Sequence, residues 1–476
     1  MAGKSVSYRC SECGHAAPTW TGQCSGCGAW NTLEQVGALS PAHRGGGRRR
    51  SVPKPVPLRD VKAQRSARLG TGIAELDRVL GGGLVPGSLV LLGGAPGIGK
   101  STLAGMALAN IAGSGQAVLY VSGEESAAQV RRRAERLGDA ALGVPMLAEP
   151  SLESVLAALE SERPAACVID SVQTLAIPDA APGSVGAVRA ATSALLETAK
   201  RLEVTLILIG HVTKEGSLAG PRALEHLVDC VLHFEGERER TFRTLRALKN
   251  RFGATSEVGV FEMRQGGLVE VADPSARFVG EARPAPGSVV LCAMEGTRPL
   301  LVEVQALVAP TEIVPPRRTA TGVDRNRLAL VLAVLTRHAG LSLASADVFV
   351  NVAGGLRVDE PGADLAVALA VASAHSDRAL ETDGKPLACF GEVGLTGEVR
   401  YVAHADRRVA EARKFGLDRV LGPPPGDQPI AGLSAVASLK GALSGGWPRR
   451  GPRPRTTPLP AGRGDSRRQD PPARAA

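Results

Sequence analysis

The stretch Gly94-Ala-Pro-Gly-Ile-Gly-Lys-Ser101 constrains the fold more than any other part of this 476-residue chain. It fills the pattern GxxxxGK[ST]. It also lies between an apolar run, Ser88 to Leu92, and a segment from Ser101 to Ala112 that reads as a helix. That strand–loop–helix context is the one the pattern requires. The glycines let backbone N–H groups converge on phosphate oxygens at a helix N-terminus. Gly94, Ala95, Pro96, Gly97, Ile98, Gly99, Lys100, Ser101 and Thr102 are therefore the expected ATP contacts. Lys100 is expected to reach the β- and γ-phosphates, and the Ser101 hydroxyl to ligate Mg²⁺.

An ATPase built on such a loop needs a carboxylate to support the metal and another to polarise the attacking water. Ala165-Ala-Cys-Val-Ile-Asp170 is an apolar run ending in an acid, which suits the metal role, although an Asp capping the next segment has the same pattern. Val118-Leu-Tyr-Val-Ser-Gly-Glu124-Glu125 is a strand followed at once by two acids. A base at the carboxyl end of a neighbouring strand faces the γ-phosphate, so Glu124 is the expected base, with Glu125 in reserve. Thr205 to Ile209 is a third strand, ending at Gly210-His211. His211 reads either as a γ-phosphate sensor or as an ordinary histidine at a strand end. Alternation of strands and helices from Leu91 to about Leu248 implies a mostly parallel sheet covered on both faces. A base on the strand after the phosphate-loop helix, and not directly after the Asp170 strand, points to a RecA-like core, and such cores assemble as rings or filaments.

Four of the eight cysteines form two matched pairs, Cys10-Ser-Glu-Cys13 and Cys24-Ser-Gly-Cys27. Two such knuckles complete a tetrahedron of thiolates around Zn²⁺ with no open position, so the zinc is expected to be structural; redox chemistry at either pair is the lesser alternative. Gly14 and Gly28 follow the second cysteine of each pair, where a knuckle turn favours positive φ. Trp20 and Trp30 flank the second knuckle and are expected to cover the metal site. Cys167, Cys230, Cys292 and Cys389 sit singly in apolar runs and read as core.

The net charge of +9 is not spread over a folded face. Ser40 to Arg68 holds nine Lys or Arg against one acid, and Gly446 to Ala476 eight Arg against two Asp, so the remainder of the chain is acidic. These segments read as a linker and a disordered tail, either of which can hold nucleic acid electrostatically or simply stay solvated. No apolar run is long enough to cross a bilayer, and Met1-Ala-Gly-Lys-Ser leads into no apolar segment. The expectation is a cytoplasmic protein without a membrane partner.

The ribbon, the Gly94-to-Thr102 loop, Tyr120-Val-Ser-Gly-Glu-Glu-Ser126 and Lys249-Asn-Arg-Phe-Gly253 occur in this order. In that arrangement the chain resembles the bacterial RadA (Sms) family over roughly residues 5 to 443. The resemblance implies a DNA-dependent ATPase of homologous recombination and repair. It implies a hexameric ring that binds single-stranded and branched DNA, drives branch migration and works beside the RecA recombinase. It also gives Lys249 and Arg251 the role of trans-acting fingers on a neighbour's γ-phosphate, where spacing alone reads as a surface turn. Lys214, Arg222 and the Val212-to-Pro221 stretch become a mobile loop toward a DNA channel. Aromatic residues make up only 3% of the chain, so phosphate contacts should outweigh base stacking.

From Pro284 to Leu443 the family resemblance extends to the proteolytic domain of Lon proteases. The nucleophile position falls on Gly362 within Asp359-Glu-Pro-Gly-Ala-Asp364, and the partner lysine falls near Asp406. With both halves of the dyad gone, peptide hydrolysis is not expected. Arg317, Arg318, Arg325 and Arg327 read either as DNA contacts or as surface charge. The expected architecture is α/β. It comprises a zinc ribbon at 1–38, a linker at 39–66, a RecA-like ATPase domain with a mostly parallel sheet at 67–275, a Lon-protease-like α/β domain at 284–443 and a tail at 446–476. The alternatives to a DNA motor are an ATP-gated scaffold with slow turnover and a Lon-like protease.

Overall fold

Unbroken apolar runs govern how the chain folds around its nucleotide loop. The computed structural model describes residues 7–10, 15–30, 32–36, 57, 67–178, 180–181, 183–210, 222–236, 242–426 and 428–446. It divides into two compact units, Met1–Arg65 and Ser66–Ala476. In the first, β1 (Ser7–Cys10) pairs antiparallel with β2 (Ala16–Ala17) and β3 (Leu33–Val36). Cys10, Ala17, Cys24 and Leu33 form its small core. The basic linker and the tail fall outside the described residues, apart from short stretches at their borders.

The second unit begins with α1 (Ala74–Leu80), which ends on Gly81 at φ 84°, the left-handed closure that glycine makes without strain. β4 (Leu89–Gly94) leads through the phosphate loop into α2 (Lys100–Gly113). Next come β5 (Val118–Ser122), α3 (Ala127–Leu137), α4 (Asp139–Leu142), β6 (Met146–Ala148) and α5 (Leu152–Glu162). β7 (Ala166–Asp170), α6 (Val185–Leu202), β8 (Thr205–Ile209) and α7 (Arg222–Glu225) follow. β9 (Cys230–Glu235), β10 (Phe242–Asn250), β11 (Val258–Arg264) and β12 (Gly267–Glu270) complete a nine-stranded sheet.

The strand order of this sheet is β12-β11-β10-β9-β4-β8-β7-β5-β6. From β9 to β6 all neighbours are parallel, and β10 to β12 add an antiparallel edge. Successive side chains of a strand point to opposite faces. Val90 and Leu92 accordingly join α1 and α2 in one core, whereas Leu89 and Leu91 join α5 and α6 in the other. A sheet buried on both faces explains why its strands read as unbroken apolar runs. One strand, β8, separates the phosphate-loop strand from the Asp170 strand, and the core is RecA-like.

The C-terminal α/β region opens with α8 (Pro274–Val279), the hairpin of β13 (Ser288–Glu295) and β14 (Arg298–Pro310), and β15 (Arg318–Thr321). α9 (Arg325–Ala339), β16 (Ala346–Val352), α10 (Asp364–Ser376) and α11 (Ala405–Lys414) follow. Its mixed sheet runs β15-β16-β14-β13, then Ala388–Cys389, Val420–Gly422 and Leu433–Ala435. Val258, Val260 and Val271 from the edge of the first sheet share its core, so the two α/β regions pack as neighbours within one unit. The four single cysteines are buried, as read from the sequence.

Candidate active site

The phosphate loop emerges from β4 with Gly94, Gly97 and Gly99 all at positive φ (154°, 74° and 116°). A Cβ at Gly94 would stand 2.5 Å from the Phe234 carbonyl oxygen on β9, so glycine is required there by space as well as by φ. Ile98 is buried and anchors the loop, and Ala95, Pro96 and Gly97 are exposed. Lys100 opens α2, is only 4% exposed and donates to the carbonyls of Gly94 (2.9 Å) and Ala95 (3.0 Å). Burial lowers its pKa, while Asp170 and Glu124 act in the other direction. Three of the residues singled out in the sequence thus come together at the carboxyl edge of the sheet. Ser101 and Thr102 follow on the first turn of α2, half-buried.

Asp170 ends β7 and is 7% exposed. Its Oδ2 accepts a 2.6 Å hydrogen bond from the Tyr120 hydroxyl. Next door, Ser122 pins the turn after β5 by donating to the Glu125 carbonyl (2.8 Å) and accepting from its N–H (3.1 Å). The two acids then separate in their surroundings. Glu125 is bound to Arg133 at 2.5 Å, whereas the exposed Glu124 acts electrostatically on Lys100. The hydroxyl of Ser171 and the Gln173 side-chain oxygen are buried without a hydrogen-bond partner. The Asp170 carboxylate and the Ser101 hydroxyl are hard oxygen donors, the chemistry that Mg²⁺ takes.

Lys249 and Arg251 stand elsewhere. Gly94 is level with Phe234, whereas Asn250 is level with Cys230 at the other end of β9. Four residue steps place this motif roughly 13 Å from the chain's own phosphate loop, at the opposite edge of the sheet. A register shift between Ala247 and Lys249 breaks the alternation of β10, as a bulge does. Lys249 then donates to the carbonyls of Glu225 (2.5 Å) and Val228 (2.8 Å). Asn250 turns to the other face and donates to the carbonyls of Val79 and Leu80 at the end of α1. Arg251 is about half exposed and pairs with buried Asp229 at 3.0 Å; Asp229 in turn accepts from the Leu89 N–H at the start of β4. Spacing alone did not reveal that the motif ties α1, β4 and α7 together. His211, Lys214 and the Val212-to-Pro221 stretch lie outside the described residues, as does the side chain of Arg222.

In the ribbon, Cys10, Cys24 and Cys27 bring their sulfurs within 4.8 Å of one another. The Gly26 N–H donates to Cys24 Sγ (3.3 Å), and Gly28 adopts the positive φ expected of the knuckle (74°). Cys13 and Gly14 lie outside the described residues. Three converging thiols fit a thiophilic ion such as Zn²⁺. Trp20 and Trp30 were expected to shield the site. They stand 55% and 70% exposed instead, and Trp30 is held by a bridge to Gln23 across the knuckle.

In the C-terminal region, the neighbourhood of Gly362 is filled by an ion pair. Arg408 is 2% exposed, donates to Glu360 (2.8 and 2.6 Å) and to the Cys292 carbonyl (2.7 Å), and lies over the Phe390 ring. Asp406 is exposed on the first turn of α11. Two of the four arginines read as possible DNA contacts are engaged internally. Arg318 donates to the carbonyls of Ala346 and Leu343, and Arg327 grips Asp364 through two bonds of 2.7 and 2.6 Å. Arg317 and Arg325 remain exposed.

A phosphate loop on the central strand of a RecA-like sheet, with acids at the carboxyl ends of β7 and β5, defines this chain as a P-loop ATPase that carries a metal-binding ribbon. The AAA domain family matches residues 53–217, and the rubredoxin metal binding domain family matches residues 8–35. DNA repair protein RadA of Bacillus subtilis (strain 168) is 46% identical over 462 residues, covering 94% of this chain and 100% of that protein. DNA repair protein RadA of Halalkalibacterium halodurans is 47% identical over 450 residues, 92% and 96% of the two chains. The RadA of Brucella abortus (strain 2308) is 47% identical over 429 residues, 88% and 91%. The chain belongs to the RadA family of DNA repair proteins.

Proposed function

We propose that this protein is a DNA-dependent ATPase of homologous recombination and repair, acting as a ring-shaped motor on single-stranded DNA to branch-migrate recombination intermediates. The observation that carries the motor reading is the division of its charged machinery between two edges of one sheet. Lys100, Asp170 and Glu124 gather at the carboxyl edge. The Lys249–Arg251 motif lies at the amino edge, out of reach of its own phosphate loop. A cation there meets a γ-phosphate only when a second subunit presents one, which supports a closed head-to-tail assembly, a hexamer by family resemblance.

In this reading residues 94–102 cradle the phosphates of ATP, and Lys100 exchanges its carbonyl partners for phosphate oxygens. Glu124 accepts the proton of the attacking water. Arg251, and Lys249 once it leaves its own carbonyls, stabilise charge on the neighbour's transferring phosphate. Ser101 and Asp170 hold Mg²⁺, which when bound neutralises phosphate charge. Cys10, Cys13, Cys24 and Cys27 hold Zn²⁺ and build a contact surface for DNA or a partner such as the RecA recombinase. The region 284–443 is a scaffold for the ring and no peptidase: Gly362 offers no nucleophile, and a Cβ there would meet Glu360 at 3.1 Å and Arg408 at 3.2 Å. The proposed compartment is the cytoplasm; among the described residues no helix is long and apolar enough to cross a membrane.

The test is steady-state ATP hydrolysis with and without single-stranded DNA at two salt concentrations, beside Lys100→Ala. The expected rate rises with DNA, weakens with salt as phosphate contacts do, and vanishes in the variant. A Lys100-dependent rate that ignores DNA would replace this reading by an ATP-gated scaffold.

A further inference from the structure

We infer that Tyr120 and Arg133 are positioning residues for the metal-supporting carboxylate, acting through a relay that also fixes which of the two adjacent acids is left to act as base. The inference rests on the reading of Asp170 given above. The Tyr120 hydroxyl donates to Asp170 Oδ2 at 2.6 Å, and both residues are buried. Arg133 donates to that same phenolic oxygen at 2.7 Å and to Glu125 at 2.5 Å, with its guanidinium 5.7 Å from the centre of the Tyr120 ring. The guanidinium comes no closer than 3.8 Å to Asp170 itself.

That spacing has a chemical consequence. An arginine bonded directly to Asp170 would neutralise the carboxylate and compete with a cation for it. A phenol set between them takes the hydrogen bond in the arginine's place and orients the carboxylate by one oxygen, while the guanidinium at 3.8 Å remains an ion-pair partner. Arg133, by donating to the phenolic oxygen, makes the hydroxyl a stronger donor, because linked hydrogen bonds polarise one another.

The same guanidinium removes Glu125 from the chemistry. Glu125 is held by Arg133 through its side chain and by Ser122 through its backbone, whereas Glu124, the base in the reading above, acts electrostatically on Lys100. α3 carries Arg133 and has no fully buried residue, with Val130 packed against the core; the bonds of Arg133 link this helix to Tyr120 on β5.

The experiment titrates Mn²⁺ into the full chain with a non-hydrolysable ATP analogue, read by electron paramagnetic resonance, for wild type, Tyr120→Phe, Arg133→Ala and Asp170→Asn. Nucleotide affinity in the absence of metal is measured in parallel. Tyr120→Phe keeps the ring in the core, and Arg133→Ala alters a helix without buried residues, so one variant checks the other. The expected result is Mn²⁺ binding weakened roughly 10-fold or more in Tyr120→Phe and by a smaller factor in Arg133→Ala. Metal-free nucleotide affinity should be unchanged and kcat reduced. Wild-type Mn²⁺ affinity in Tyr120→Phe and Arg133→Ala, with loss only in Asp170→Asn, would overturn the relay. Wild-type affinity in Asp170→Asn as well would instead overturn the metal role of Asp170.

Discussion

At the residue scale, the two adjacent acids after β5 differ in their surroundings, and in the proposed mechanism Glu124 is the base. Glu125 is spent on Arg133, while Glu124 stays exposed and within electrostatic range of Lys100. Glu124→Gln should therefore lower kcat by roughly 100-fold or more and leave ATP binding intact, checked by turnover beside nucleotide titration. Glu125→Gln should cost far less, because it loosens Arg133 without removing the base. Equal losses in the two variants would contradict the assignment. Gly94→Ala brings a methyl group to 2.5 Å from the Phe234 carbonyl at a φ that L-residues rarely adopt. It should abolish nucleotide binding, as measured by titration with a fluorescent ATP analogue.

At the element scale, the segment Lys249 to Gly253 ties parts of the core together as well as presenting cations. Asn250 holds the last carbonyls of α1, and its own side-chain oxygen accepts from the Phe252 N–H at 2.9 Å. Arg68 donates to carbonyls on both sides of the same junction, at Leu80, Gly83 and Phe252. Asn250→Ala removes the side-chain partner of the Val79 carbonyl and of the Phe252 N–H and should destabilise the second unit by about 1–3 kcal/mol, read as a lower midpoint in urea. In the ribbon, Cys24→Ser should release zinc while ATP binding persists, as metal analysis beside nucleotide titration would show. Much of this was legible beforehand. The apolar runs at Ser88–Leu92, Val118–Ser122, Ala165–Asp170 and Thr205–Ile209 are strands because their residues are buried on both faces, and unbroken hydrophobicity records that directly. The bulge at Leu248 was not legible, because an extra residue in a ladder leaves no mark in composition. It exchanges the faces that Lys249 and Asn250 would take if the alternation of Leu245 and Ala247 continued. Nor could the Tyr120–Arg133 relay be read, although a lone tyrosine in an aliphatic strand was a visible hint. The exposed tryptophans of the ribbon also ran against expectation, since two small knuckle turns offer too little surface to bury two indoles.

At the scale of the whole molecule, the phosphate-loop edge of the first sheet is joined to the C-terminal region by charge. Glu235 follows Phe234, the residue beside Gly94, and meets Arg246 at 3.4 Å; Arg246 also binds Glu295 on β13. Burial holds the Glu295 carboxyl above its ordinary range, and Arg246 pulls it back. Arg246→Ala strands that carboxylate and should cost on the order of 2–3 kcal/mol near neutral pH. A carboxyl whose native pKa is raised binds more protons folded than unfolded, so its contribution is lost as pH rises. The variant's deficit should therefore shrink as the pH falls toward 5, measured by denaturation at several pH values.

The central claim, that each ATP site is completed by the next subunit, is tested most directly by mixing. Lys100→Ala and the double variant Lys249→Ala/Arg251→Ala are each expected to be inactive alone. Co-assembled with single-stranded DNA, they should regain part of the wild-type hydrolysis rate, because some interfaces pair an intact phosphate loop with intact cations. A mixture as inactive as its components, under conditions where co-assembly is verified, would contradict the shared site.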